Sequence, residues 1–121
     1  MTTHTQRRTV TGDTRGLLKL LELIEVFRDM RPEMPMQMAA IFLGIALRPG
    51  ITQAELAILV GIGQSSVSRN IAALSAVTRQ GKRGLNLVVQ RHDPLDGRAH
   101  EHHLTKDGRA LADRLLALSM A

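Results

Sequence analysis

The sequence predicts a mainly α-helical fold carrying one small β-hairpin, and three observations predict it. Apolar residues recur at helical spacing through most of the chain, in segments punctuated by Arg31-Pro32, Arg48-Pro49-Gly50 and Gly61-Ile62-Gly63. From Leu85 the pattern changes to a β-rich run, LNLVVQ, then turn residues, then a returning run ending at Leu104. Hydroxyl residues stand where helices would begin, at Thr52 and Thr105. A chain of 121 residues suits a single domain that buries roughly two-thirds of its unfolded surface.

Taken in order, residues 1–16 are polar, with Arg7, Arg8 and Arg15 against Asp13, and read as a disordered basic arm preceding a domain over 17–121. Leu17–Met30 is a helix with Leu17, Leu18, Leu20, Leu21, Leu23, Ile24, Val26 and Phe27. That is more apolar surface than one buried stripe accounts for, so the helix is central or shared with another chain. Arg31-Pro32 ends it. Pro35 suits the first turn of a second helix reaching about Leu47. Thr52 and Glu55 fit a capping box that opens a short helix stopping at Gly61. A further helix runs from about Gln64 to Val77 with Val67, Ile71 and Leu74 on one face. Leu85–Gln90 reads as a strand, His92–Arg98 as a turn and Ala99–Leu104 as the returning strand. Thr105 caps a last helix whose apolar face holds Ala110, Leu111, Leu115 and Leu118.

Composition narrows the function. There is no cysteine, which removes disulfides, thiolate nucleophiles and cysteine zinc sites. The formal charge is +5, and thirteen of the sixteen basic residues are arginine, which suits an acidic partner. Modules that read single strands stack bases on aromatic side chains. With two Phe and no Trp or Tyr, this chain has no such platform, and duplex DNA is favoured. The longest apolar runs are too short and too interrupted to span a bilayer, so no membrane partner and a cytoplasmic home are expected.

The stretch GIGQSSVSRN, residues 61–70, carries the functional signal. Two short helices joined by Gly61-Ile62-Gly63 have the spacing of a helix-turn-helix. Small Ala57 lets the helices approach and Val67 pins the second to the core. If Val67, Ile71 and Leu74 face inward, the opposite face shows Gln64, Ser65, Ser66, Ser68, Arg69 and Ala72. Arginine binds guanine bidentately, glutamine reads adenine, and serine serves bases or phosphates. The bland alternative is a solvent-facing helix of a small bundle; the basic hairpin directly after it favours the DNA reading.

ITQAELAILVGIGQSSVSRNIAAL followed by DPLDGRAHEHHLTKDGRAL resembles the winged-helix domain of the MarR family of bacterial transcription regulators. Asp96 and Arg98, with Leu104-Thr105 and Gly108, resemble that family's wing signature, and the likeness spans about Pro35 to Leu118. It implies a winged helix-turn-helix in which Gln64, Ser65, Ser66, Ser68 and Arg69 contact the major groove. Arg98, held by Asp96, would enter the minor groove. It also implies a two-fold dimer joined through terminal helices, here by Leu17, Leu20, Leu21, Ile24, Leu115 and Leu118. A roughly palindromic DNA site follows. Further phosphate contacts are expected from Thr52, Arg79, Lys82, Arg83 and Arg91. Many members bind small phenolic or aromatic effectors, but nothing in this sequence specifies one.

This chain departs from the family pattern in three places. Val77–Gly84 is an extra basic loop, equally readable as merely solvated; the stretch after Leu118 is short for a dimerisation arm; and Glu101 and His102 fall where the returning strand tends to be apolar. A loose likeness to phage- and plasmid-borne regulators goes with the small size. The histidines at 92, 100 and 102 invite a zinc site but are more simply surface or phosphate-facing groups, so no metal is expected. Met30, Met34, Met36 and Met38 read as filler between helices. Residues 61–63 are no dinucleotide fingerprint, since no strand precedes them. No Ser-His-Asp set or paired carboxylates stand out, and neither an enzyme nor a cofactor is expected.

The sequence therefore reads as a regulator that binds duplex DNA as a homodimer. Repression is favoured, because a repressor needs only to occupy its site and the chain has no room for an activation domain. Two rivals stay open: a replication or partition protein of a mobile element, and a winged helix used for protein interaction. The polar face at Ser65–Arg69 argues against the second.

Overall fold

Five helices and one hairpin make up the computed structural model, which describes residues 14–92, 95 and 100–121. They are α1 (Thr14–Met30), α2 (Met36–Leu47), α3 (Gln53–Val60), α4 (Gln64–Leu74), β1 (Val88–His92), β2 (His100–Leu104) and α5 (Lys106–Met120). The expected helix-turn-helix is the α3–α4 pair and the expected wing is the antiparallel β1–β2 hairpin, paired from Val88 with Leu104 to His92 with His100. Residues 1–13, most of the proposed arm, lie outside the described residues, as do Asp93, Pro94 and 96–99.

Local signals place most boundaries. Thr52 Oγ1 accepts from the Glu55 amide at 3.2 Å and the Glu55 carboxylate accepts from the Thr52 amide at 3.0 Å, completing the capping box. Those bonds hold the Glu55 carboxyl below its ordinary pKa, chiefly through the Thr52 backbone N–H. Gly61 ends α3 with φ 77°, a left-handed conformation that side chains disfavour, and its N–H reaches Ala57 O at 2.9 Å. Pro35 serves as the N-cap of α2 and stands just outside its first turn. Thr105 caps α5 through the Gly108 amide at 3.0 Å.

Three boundaries differ from the sequence reading. Thr14–Gly16, assigned to the arm, are the first turn of α1. Helix α4 stops at Leu74, before Val77, because Ser75 turns extended and its hydroxyl bonds back to Ile71 O at 2.6 Å. Strand β1 starts at Val88, because residues 84–87 have other work: their amides donate to the carbonyls of Ala76, Ala73, Ser75 and Leu74, with Asn86 at φ 55°. A segment that caps a helix cannot also pair in a ladder.

One aliphatic core joins these pieces. Ile41, Phe42 and Ile45 of α2, Leu56 of α3, and Val67 and Leu74 of α4 are completely buried, and Leu87, Val88, Leu111 and Leu115 complete the cluster. Burying each such side chain contributes about 1.5–3 kcal/mol relative to leaving it in water. The chain's two phenylalanines, Phe27 and Phe42, meet edge to face with centroids 6.0 Å apart. Met38 is buried and Met34 packs on the core, whereas Met30 and Met36 are exposed, so only half of the methionine set fills space between helices.

Strand β2 has a partner on each side. Beyond β1, it meets the Ile51 segment, with Gly50 N donating to His102 O at 2.9 Å and His102 N to Ile51 O at 3.1 Å. The His102 ring, 1% exposed, places Nδ1 2.8 Å from Ile51 O, which assigns it the Nδ1–H tautomer. Burial holds its pKa below the ordinary value, and the nearby His100 and His103 push the same way, against the Ile51 bond. Both states are neutral well above the unfolded value of 6.5. As pH falls through that value the unfolded chain takes up the proton first, so stability is lost on acidification. Urea midpoints are expected to fall between pH 7.5 and 5.5. His102→Leu keeps the backbone bond to Ile51 and is expected to flatten that slope; an unchanged slope would remove the assignment.

Candidate nucleic-acid interface

Helix α4 is amphipathic in the sense the interface requires. Val67, Ile71 and Leu74 are buried, so the position and rotation of the helix are fixed by the core. Gln64, Ser65 and Arg69 are exposed, and Ser66 and Ser68 are partly so. Gly63 gives α4 no side-chain cap, which leaves N–H groups at that end for solvent or an anion. Gln53 Nε2 donates to Gln64 O at 3.1 Å and ties the two helix starts together. Arg69 bonds Ser66 Oγ at 3.1 Å, which extends the guanidinium along the polar face.

The electrostatics are one-signed. No Asp or Glu occurs between Glu55 and Asp93, an interval holding Arg69, Arg79, Lys82, Arg83 and Arg91. The extra loop is folded: Val77 bridges Arg83, Thr78 N donates to Lys82 O at 2.7 Å, and Gly81 N donates to Thr78 O at 3.0 Å. It leans on α4, where Arg79 donates to the Ser68 hydroxyl. Arg69, Arg79 and Arg83 thus line one cavity of about 470 Å³ with Ala72, Ala73, Thr78 and Leu85. Arg31, at the end of α1, joins them. The sequence reading took Arg31 only as a helix stop; no local pattern links it to α4.

Other expected site residues are placed differently. Thr52 is engaged in its capping box beside α4. Arg91 stands apart from the arginine cavity and lines a second, mainly apolar cavity of about 860 Å³ with Leu23, Phe27, Leu47, His103 and Arg109. Asp96 and Arg98 lie outside the described residues. Among the histidines, His92 and His100 have ring centroids 4.5 Å apart, and no group of three or more potential metal ligands occurs among the described residues. Of the six residues expected at a dimer seam, Leu17, Leu20, Leu21 and Ile24 are exposed on α1, and Leu118 packs partly on the core. Leu115 is 6% exposed and belongs to this chain's own core, the least exposed of the six. Helix α5, which carries it, packs against α1 and α2. No described helix is long and apolar enough to cross a membrane.

No family model and no curated protein matches the sequence. Solved structures do. A MarR family transcription regulator, SP03579, is similar at 27% identity and a TM-score of 0.60, over 98% of this chain and 75% of that one. The transcriptional repressor CouR, solved bound to a 23-mer DNA duplex, is similar at 23% identity and 0.60, over 100% and 74%. BpsR of Bordetella bronchiseptica, whose DNA binding is regulated by 6-hydroxynicotinic acid, is similar at 20% and 0.56, over 97% and 76%. With five helices and a hairpin wing, this chain has a MarR-like winged helix-turn-helix fold.

Proposed function

We propose that this protein regulates transcription by binding duplex DNA as a homodimer, occupying a palindromic site as a repressor. The observation that carries the reading is helix α4: its apolar side is locked into the core while Gln64, Ser65 and Arg69 are exposed on a helix without a carboxylate. The fold shared with a DNA-bound repressor supports it. Gln64, Ser65, Ser66, Ser68 and Arg69 read the major groove; Arg98, supported by Asp96, serves the wing; Thr52, Lys82 and Arg83 engage phosphates. The exposed Leu17, Leu20, Leu21 and Ile24 form the seam with a second copy, with Leu118 at its margin. The 860 Å³ cavity, mainly apolar with Arg91, His103, Arg109, Asp113 and Ser119 at its polar points, suits a small, mainly apolar effector.

Selection of random duplex DNA by the purified protein tests the reading. A two-fold motif with half-sites about one helical turn apart is expected; retention without sequence enrichment would overturn it. Arg69→Ala is expected to cost about 1–3 kcal/mol of binding and to relax base preference at one position of each half-site. Competition titrations against single-base variants of the site read both effects. Unaltered affinity and preference would remove Arg69 from the reader.

A further inference from the structure

The four-arginine cavity is more than a basic surface. Arg31, Arg69, Arg79 and Arg83 come from three separate elements: the end of α1, the reading helix and the extra loop. None of them is ion-paired with a carboxylate among the described residues, although Arg28 and Arg114 each find one elsewhere. Like charges drawn to one concavity repel, and among the described residues no carboxylate pairs with any of the four. The guanidinium groups are nonetheless oriented: Arg31 by the Met38 sulfur at 3.6 Å, Arg69 by Ser66 Oγ at 3.1 Å, and Arg79 by the Ser68 hydroxyl. Ala72, Ala73 and Leu85 contribute small apolar walls. Planar forks converging on one space match the oxygens of a phosphate.

We infer that this cavity seats a phosphodiester of the DNA backbone beside the groove read by α4. The inference rests on the duplex-DNA reading and adds a component to it, a built clamp in which Arg31 is a full member. The source is DNA rather than a free phosphorylated molecule because two of the four arginines hold hydroxyls of the reading face itself. An anion in the cavity therefore lies alongside whatever α4 touches. Arg31, Arg79 and Arg83 of such a clamp position the duplex and read no sequence, while Arg69 stands at its border with the reading face. The extra loop acquires a purpose as well, since it carries Arg79 and Arg83 to a phosphate that α4 alone does not reach.

The test is a set of titrations on the full chain with two labelled duplexes, one of the selected sequence and one scrambled, across a range of salt. Arg31→Gln and Arg83→Gln are each expected to weaken both duplexes by a similar factor, about tenfold, and to lower the slope of log K against log salt by about two, roughly one for each protomer of the dimer. Arg31→Lys, which keeps the charge, is expected to keep the slope. Parent affinity and slope in both glutamine variants would overturn the inference and leave the DNA reading standing. Saturable binding of inorganic pyrophosphate, abolished by the same variants while DNA affinity stays unchanged, would overturn it in favour of a free ligand. Failure of the parent protein to hold either duplex would bring down both readings together.

Discussion

Gly108→Ala is expected to be among the most damaging single substitutions in the protein. A Cβ at this position would lie 2.0 Å from Leu87 O and 3.2 Å from Leu104 Cβ, where ordinary contact begins near 3.4 Å. The obstacle is backbone and cannot rotate away. That same carbonyl accepts from Thr105 N at 3.0 Å, while the Thr105 hydroxyl donates to Asn86 O at 2.7 Å and caps Gly108 N. Alanine therefore forces apart the point where α5 starts, β2 ends and the segment before β1 passes. Overpacking of this kind costs roughly 3 kcal/mol, a large share of a total stability of about 5–15 kcal/mol. The melting temperature is expected to drop by on the order of 10 °C. Thermal unfolding followed by circular dichroism reads the effect, with Gly16→Ala as control. There the added Cβ meets nothing within 4 Å and the helix is expected to gain about 0.5–1 kcal/mol. Equal melting temperatures for Gly108→Ala and the parent would show the close approach to be unimportant.

The second large effect concerns the exposed side of α1. Leu17, Leu20, Leu21 and Ile24 are 45%, 57%, 54% and 46% exposed, and Leu116 of the adjoining α5 is 57% exposed. A double Leu20→Glu, Leu21→Glu variant is expected to sediment as a monomer with an unaltered circular dichroism spectrum, because neither side chain contributes to this chain's core. A monomer engages one half-site at a time, so affinity for the palindrome is expected to fall about 10²–10⁴-fold, toward that for an isolated half-site. A parent protein that sediments as a monomer, or a variant that keeps full affinity, would refute the dimer.

What was legible in the sequence follows from the range of the interactions. The Thr52–Glu55 box, the Thr105 cap and the Gly61 turn depend on residues a few positions apart, and all three stand where the sequence places them. The buried stripe Val67, Ile71 and Leu74 was equally clear, because helical periodicity is local. Strand β1 begins three residues later than its sequence suggests because Leu85–Leu87 look like strand residues; only the fold brings their amides to the end of α4. Leu115 reads as a seam residue because its apolar face is visible in the sequence and the packing of α5 against α1 is not. Arg31 escapes for the same reason, standing 38 positions before Arg69 in the chain and beside it in space. The wing pair Asp96 and Arg98, the strongest part of the family resemblance, lies outside the described residues.

The amides of Leu85 and Leu87 reach Ala73 O and Leu74 O at the end of α4, and those of Gly84 and Asn86 reach Ala76 O and Ser75 O just beyond it, with Leu87 N to Leu74 O the shortest at 2.7 Å. An ordinary helix frays at this end and must be ordered when it docks. Here the terminal turn is already held by the segment that leads into the wing. The conformational entropy of ordering it is thus lost during folding and is not subtracted again on binding. On the duplex-DNA reading, helix and wing would meet their partner as one stiff caliper, its hinge held by the four hydrogen bonds between residues 73–76 and 84–87.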